Sequence, residues 1–294
     1  MSLRSLYDVP APAKINLFLH IVGRRDDGYH RLQSPFQLID WADRLHFERR
    51  DDGALHRHDL GPALPEDDLC LRAARALQAE SGTALGADIS IDKQVPWGAG
   101  MGGGSSDAAS TLLALNRLWG LGWRRERLLS IGARLGADVP FFVGGRNAFV
   151  EGIGERLTPL ALPRQWLAVA KPAASIATRD IFEHPALVRN TEAVILMGSL
   201  ADDSGVIGFA EGFGRNDLQP PAQDRCPEVA QAAAWLEARF GNSRMTGSGS
   251  AVFARVGTGE LPMATFPMAE LPSGWVGRMC RSLTHHPLVG WAEG

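Results

Sequence analysis

The sequence predicts an α+β fold, and three observations predict it. Segments of strand-like alternation are mixed with segments of helical spacing, which favours α+β over a doubly wound sheet. A glycine-dense loop, WGAGMGGGSSDAAS from Trp97 to Ser110, stands between a strand and a helix. A proline-marked connector at 159–163 is a candidate domain boundary in a chain of 294 residues, a length comfortable for two domains or one large one.

In chain order, residues 13–22 (AKINLFLHIV) read as one strand. Ile15, Leu17, Leu19 and Ile21 share one face, and Lys14, Asn16, Phe18 and His20 share the other. GRRDDGYH follows as a turn punctuated by Gly28. Two strands are expected at 36–39 and 45–48. Leu69, Ala73, Ala76 and Leu77 set a helix over 68–79, with Asp67 or Asp68 as its N-cap. Ile89 and Ile91 point inward from a strand at 88–93, which Pro96 ends. After the glycine loop, the cap-type residues Ser105, Ser106 and Asp107 open a helix through Asn116.

A second helix fits 124–135, closed by Gly136. ADVPFF and a hairpin around NAFVEGIGERLTPL precede the connector. Beyond it, WLAVAKP reads as a buried strand and Pro227 as the first turn of a helix running to Phe240, closed by Gly241. The loop RMTGSGS leads into the strand AVFARV. Residues 200–214 and 256–273 are weakly periodic and read as surface connections.

Apolar residues make up 45% of the chain and charged residues 21%, as in ordinary soluble proteins. A net charge of −3 gives no basic field, so nucleic acid is not an expected partner. No apolar run approaches the ~18 residues of a membrane span, and no signal core precedes the fold, so a cytoplasmic protein with no membrane partner is expected. Cys70, Cys226 and Cys280 are scattered, which suits buried thiols in a reducing compartment. His56 and His58 beside Asp59, and the pair His285–His286, lack the partners of a structural metal site. Among 30 basic residues only Lys14, Lys93 and Lys171 are lysine. Where arginine is the rule, a retained compact ammonium marks a position that a planar fork does not fit.

Five glycines within seven positions exceed what a turn needs. Backbone N–H groups freed of Cβ atoms converge on anions, and a helix N-terminus adds positive partial charge. A Walker A loop fails for want of a following lysine. Gly98 to Gly103 satisfies the dinucleotide pattern formally, but Pro96 precedes it and no acidic residue ends a strand near 119–122. Protein-kinase signatures are absent.

PWGAGMGGGSSDAA resembles the phosphate loop of the GHMP kinases, a family that includes galactokinase and the homoserine, mevalonate and phosphomevalonate kinases. Its triple glycine with Ser-Ser is similar to the branch whose alcohol is diphosphocytidyl methylerythritol. APAKINLFLHIVGRRDDGYH, LGADVPFF, NDL at 216–218 and MTGSGSAVFA agree in order and spacing, so the likeness spans roughly residues 10–255. The resemblance implies two α+β lobes with the active site in their cleft: a nucleotide-binding domain at 1–160 and a C-terminal domain at 161–294. It implies transfer of the γ-phosphoryl group of ATP, with Mg²⁺, to a hydroxyl of that small molecule, giving a 2-phosphate in non-mevalonate isoprenoid precursor synthesis.

By the same resemblance, Lys14 and Asp138 are catalytic. Asp138 accepts or orients the hydroxyl proton, and Lys14 holds that carboxylate ionised and neutralises developing charge. Lys93, Pro96, Trp97, Gly98, Ala99, Gly100, Met101, Gly102, Gly103, Gly104, Ser105 and Ser106 hold ATP. Ser105, Ser106 and Asp107 could cap the helix, touch phosphate or position the metal; its ligands stay open. Asn16, Tyr29, His30, Thr178, Phe182, Gly247, Ser248 and Gly249 bind substrate, with Tyr29, His30 and Phe182 around the cytidine. Lys171 is expected to face the cleft.

Two residues depart from the family pattern. Asp68 replaces an asparagine that contacts adenosine in relatives. Trp97 is bulkier than the residue usual after Pro96, and could stack near the adenine. Oligomeric state stays open between monomer and homodimer. The rival readings are a GHMP kinase of another alcohol, against which GYH and GGGSS count, and a non-catalytic ATP-binding member of the fold, against which Lys14 and Asp138 count.

Overall fold

A computed structural model describes residues 3–195 and 208–293. The first part of the chain builds β1 (Ser5–Asn16), β2 (His20–Arg24), β3 (His30–Arg50), β4 (Leu55–Asp59), α1 (Leu69–Ser81), β5 (Gly86–Asp92), α2 (Gly103–Leu118), α3 (Arg125–Leu135), α4 (Val139–Gly144), β6 (Ala148–Gly152) and β7 (Arg156–Pro159). The seven strands form one sheet in the order β4-β5-β3-β6-β7, with β1 and β2 also paired to β3. Among the described strands of this sheet, β4 and β5 pair parallel and the other pairs are antiparallel.

The rest supplies β8 (Trp166–Lys171), α5 (Thr178–Phe182), α6 (Gln219–Arg225), α7 (Pro227–Phe240), β9 (Arg244–Met245), β10 (Val252–Arg255) and β11 (Val276–Arg281). These four strands make an antiparallel sheet in the order β11-β8-β10-β9. Mixed helices and sheets of this kind are the expected α+β class.

Apolar side chains gather in three clusters. Leu38, Leu45, Phe47 and Ile89 meet α1 to α4 in the first. Ile15, Ile39 and Val95 meet Leu167, Val169 and Phe253 between the sheets. Ala168, Ala170, Met245 and Val252 lie with Val229 and Leu236 of α7 in the third. β8 thus buries alternate residues on opposite faces, which is why WLAVAKP carries no polar alternation.

One irregularity aims the future site. Along β1, Val9 and Ala11 belong to the first cluster, but Ala13 and Ile15, at the same parity, belong to the second. The pairing with β3 shifts register between Pro12 and Lys14. A bulge turns the strand over, because side chains alternate with period two. Lys14 and Asn16 therefore leave β1 away from the inter-sheet layer.

Several sequence expectations change. The strand expected at 13–22 is two strands with a break at 17–19, where Leu17 and Leu19 turn their N–H groups to Pro35 and Arg215. Both of its faces are buried, including Lys14, Asn16 and His20. The strands expected at 36–39 and 45–48 are parts of one 21-residue strand, since Asp40 and Asp43 are polar positions within a ladder rather than a turn. β4, written LHRHD, has too little apolar pattern to be read. ADVPFF, given no element from the sequence, leads into the short helix α4.

Asp68 caps α1, accepting from Leu71 N at 3.0 Å. Ser105, Ser106 and Asp107 lie within α2, whose N-cap is Gly102 at φ +70° without any side-chain bond. The surface connection expected at 200–214 falls outside the described residues up to 207; beyond them, Phe209 and Ala210 are buried. Leu283, Leu288 and Trp291 return to the first cluster, and Arg125 fastens that tail through the carbonyls of Val289 and Ala292.

Candidate active site

Lys14 Nζ is buried where β1 passes the glycine loop. It donates to Asn16 Oδ1 at 2.5 Å and to Gly100 O at 3.1 Å, and stands 4.5 Å from the Phe36 ring centroid. Asp138 Oδ2 lies 3.6 Å away, a separation of ion pairing rather than a tight hydrogen bond. Burial lowers the pKa of Lys14 and Asp138 opposes that shift. Asp138 occupies the N-cap position of α4 yet bonds no backbone N–H there, and is 30% exposed. Its carboxylate therefore stays available to a ligand.

Asn16, expected to bind substrate, lines the same cavity as Lys14 and Asp138. It is 1% exposed, and its amide is shared among protein groups. Oδ1 faces Lys14, Nδ2 donates to Ser34 Oγ at 2.8 Å, and Ser34 in turn donates to Phe18 O. From the cavity wall it also holds the Lys14 ammonium.

Glycine density in the loop has two separate causes. Gly100 has φ +70°, and a Cβ there would sit 2.3 Å from Thr246 O. Gly247 faces it, with a Cβ position 2.6 Å from Gly100 O. The two glycine loops touch backbone to backbone, reinforced by Ser250 N and Ala251 N donating to Gly98 O and Ala99 O. Ala99 and Met101 are buried anchors in the inter-sheet cluster. At α2 the loop presents donors: Gly103, Gly104 and Ser105 form its first turn, whose N–H groups have no helical acceptor. Ser106 Oγ instead bonds Pro12 O at 2.7 Å. Trp97 is 64% exposed on the loop, just after the half-buried Pro96.

Lys93 lies beneath the same turn, between two buried carboxylates. Nζ pairs with Asp43 and, at 2.6 Å, with Asp107 Oδ2. Burial alone would lower its pKa, but Asp107 and Asp43 together push it up. Asp43 also accepts from Gln94 N and Val95 N, so it clamps the strand that feeds the loop. Lys171, expected at the cleft, donates to Pro172 O, Ala174 O and Ser175 Oγ and shapes the loop lying against Gly98. Asp68 pairs with Arg57 at 3.1 Å while capping α1.

Two cavities join here. One, of about 330 Å³, is lined by Lys14, Asp138, Gly100, Gly102, Gly247 and Gly249 among others. The second, of about 640 Å³, is lined by Tyr29, His30, Phe182 and Arg189 among others. Leu32, Ile153, Thr178 and Phe182 line both, so they form one continuous cleft. His30 and Phe182 stack with centroids 5.2 Å apart at 30°, and Tyr29 is 62% exposed. Thr178 Oγ1 meets Ser248 Oγ at 2.8 Å. The cleft offers an aromatic cradle at one end, a lysine–carboxylate pair in the middle and helix N–H donors alongside.

Sequence reasoning missed Asp43, Ser34 and Arg189. Each is a polar residue on a strand or loop, brought to the site by pairing across long sequence separations. For Asp43 the retained Lys93 was an indirect signal, since a buried ammonium needs a carboxylate.

The family model of the GHMP kinases N terminal domain matches residues 68–146, and that of GHMP kinases C terminal matches 194–260. The chain is 68% identical to a 4-diphosphocytidyl-2-C-methyl-D-erythritol kinase of Methylibium petroleiphilum, over 99% of this chain and 100% of the relative. It is 57% identical to the kinase of that name from Albidiferax ferrireducens, over 99% and 96%. A crystal structure of 4-(cytidine 5'-diphospho)-2C-methyl-D-erythritol kinase superposes with a TM-score of 0.75 at 33% identity, covering 95% of this chain and 98% of the other. Methanococcus jannaschii mevalonate kinase, at TM-score 0.63 and 15% identity, shares the fold.

Proposed function

The chain belongs to the GHMP kinases, among the 4-diphosphocytidyl-2-C-methyl-D-erythritol kinases, and from that premise we propose how its cleft carries out the transfer. The enzyme moves the γ-phosphoryl group of ATP to a hydroxyl of 4-diphosphocytidyl-2-C-methyl-D-erythritol, giving the 2-phosphate for isoprenoid precursor synthesis. Continuity of the aromatic pocket with the Lys14–Asp138 cavity carries this reading: the nucleoside end and the reacting hydroxyl of one long substrate fit one cleft.

Tyr29, His30 and Phe182 hold the cytosine, and Thr178, Ser248 and the Gly247–Gly249 turn line the path to Asp138. Asp138 accepts or aligns the hydroxyl proton, while Lys14 faces the charge that grows on the transferred group. The first turn of α2 and the loop from Pro96 cradle the triphosphate. Mg²⁺, which neutralises phosphate charge, is commonly held by one or two carboxylates plus phosphates and water. In this cleft Ser105, in the first turn of α2, would help hold it beside the phosphates, since Ser106 is bound to Pro12 and Asp107 to Lys93. Division near residue 160 into a nucleotide-binding part and a second part belongs to the same reading.

The test is ADP release with ATP and Mg²⁺ against diphosphocytidyl methylerythritol, homoserine and mevalonate. Turnover of the first alone is expected. Turnover of another alcohol in its place refutes the substrate, and ATP binding without any turnover refutes the kinase.

A further inference from the structure

Within the aromatic pocket one side chain governs both walls. Arg189 Nε donates to His30 Nε2 at 3.1 Å. Its Nη1 donates to Leu187 O at 3.0 Å, and its Nη2 to Phe182 O at 3.3 Å and His184 O at 3.0 Å. These carbonyls fix the guanidinium plane, so Nε has one direction to point. His30 lies against Phe182 on its other side.

A guanidinium is donor-only and stays charged. His30 Nε2 must therefore offer its lone pair, and a neutral imidazole then carries its proton on Nδ1. Protonating the ring would set N–H against N–H. Burial, with the charges of Arg189 and Arg24, holds His30 below the usual histidine range. The pocket's carboxylates do not compete: Asp27 bonds Tyr29 N and Arg25, and Glu183 bonds Arg179. No hydrogen-bond partner claims Nδ1 among the described residues.

We infer that Arg189 is a positioning residue for base selection, locking His30 as a fixed Nδ1–H donor so that the pocket prefers a base with a bare ring nitrogen. The inference rests on the nucleoside reading of this pocket. Cytosine N3 carries a lone pair, whereas uracil N3 carries a proton that would meet the Nδ1–H head-on. A site built to pair a polar group rejects the analogue that leaves it unpaired. Stacking on Phe182 cannot make this distinction, because both pyrimidines have the same face.

The experiment measures binding of cytidine 5'-diphosphate and uridine 5'-diphosphate by calorimetry to the full chain and to its Arg189→Met and Arg189→Lys variants. Long-range ¹H–¹⁵N spectra of the histidine rings accompany it, with His30 assigned by a His30→Gln variant. The wild type should prefer the cytidine nucleotide by about tenfold or more, with His30 in the Nδ1–H form. Arg189→Met should bring the two affinities within about threefold and release the ring to the Nε2–H form or a mixture. Arg189→Lys, whose ammonium is also donor-only, should retain the preference and keep folding separate from the effect. Equal losses for both nucleotides, or an unchanged ratio with His30 still Nδ1–H, overturn the inference and leave the kinase assignment standing. A wild type that binds both nucleotides equally overturns the inference alone, whereas one that binds neither overturns the nucleoside reading with it, whatever its turnover.

Discussion

Lys14 Nζ stands 3.6 Å from Asp138 Oδ2, while its hydrogen bonds go elsewhere, to Asn16 Oδ1 and Gly100 O. The ammonium is thus held by groups that do not react, and the carboxylate is left with capacity for the substrate hydroxyl. The bulge in β1 makes this possible, since without the register shift after Pro12 the lysine would enter the inter-sheet layer.

Lys14→Arg should abolish turnover while the protein still folds. Gly102 and the Phe36 ring crowd the end of this side chain, leaving no room for a guanidinium fork. Asp138→Asn should lower kcat by about 10² to 10⁴-fold, the usual worth of a positioned proton acceptor, with little change in ATP affinity. Steady-state kinetics with circular dichroism separates lost chemistry from lost fold. Near-normal turnover of either variant removes that residue from the mechanism.

Substitutions at Gly100 and Gly104 should part company. Gly100→Ala forces a left-handed residue against Thr246 O and should cost about 2 kcal/mol or more of stability along with activity. Gly104 is helical, and a Cβ there would meet only Leu69 Cδ1, at 3.8 Å, so Gly104→Ala should leave stability unchanged or raise it by up to about 1 kcal/mol. Its effect belongs in the KM for ATP, because the added methyl stands beside the helix N–H donors. Urea denaturation and ATP titration of both variants check the division; equal destabilisation would refute it.

Lys93→Met should act on stability before it acts on nucleotide binding. It strands Asp43 and Asp107 in a buried site, and removing one partner of a buried pair typically costs about 3 to 5 kcal/mol. Asp43 keeps the N–H groups of Gln94 and Val95, but Asp107 Oδ1 already lacks a partner, so the loss falls hardest on Asp107. A thermal unfolding curve without nucleotide reads this directly. A variant as stable as wild type but weak for ATP would place the lysine on the nucleotide instead.

The parts of this site legible in the sequence were those carried by local pattern. The glycine loop ahead of a helix, the paired Lys14 and Asn16 on one strand face, and an aspartate cap at Asp67 or Asp68 all depend on neighbours within a few residues. Where the protein spends its glycines was not legible, because the Gly100–Gly247 contact joins segments far apart in sequence. Cap-type residues at 105–107 misled for a similar reason. Gly102 reaches the left-handed cap geometry without a side chain, which frees Ser106 for Pro12 and Asp107 for Lys93. Arg189 was one arginine among many until the fold set it against His30.

His286 ties the returning tail to pH. The ring is fully buried, Nδ1 accepts from Leu288 N at 3.1 Å, and Nε2 has no partner among the described residues. Burial, with Arg125 nearby, pushes its pKa down from 6.5 to about 3. In the unfolded chain the same ring takes a proton near pH 6.5, so acid favours unfolding. The neutral ring costs nothing above pH 6.5; between 6.5 and about 3 the folded state loses ground as pH falls. By pH 5 that loss should reach about 2 kcal/mol. His286→Phe removes the titrating group, so its stability should fall less steeply than wild type between pH 7.5 and 5. Urea denaturation at both pH values checks the slope. Parallel decline of the two proteins would show that this histidine is not the source.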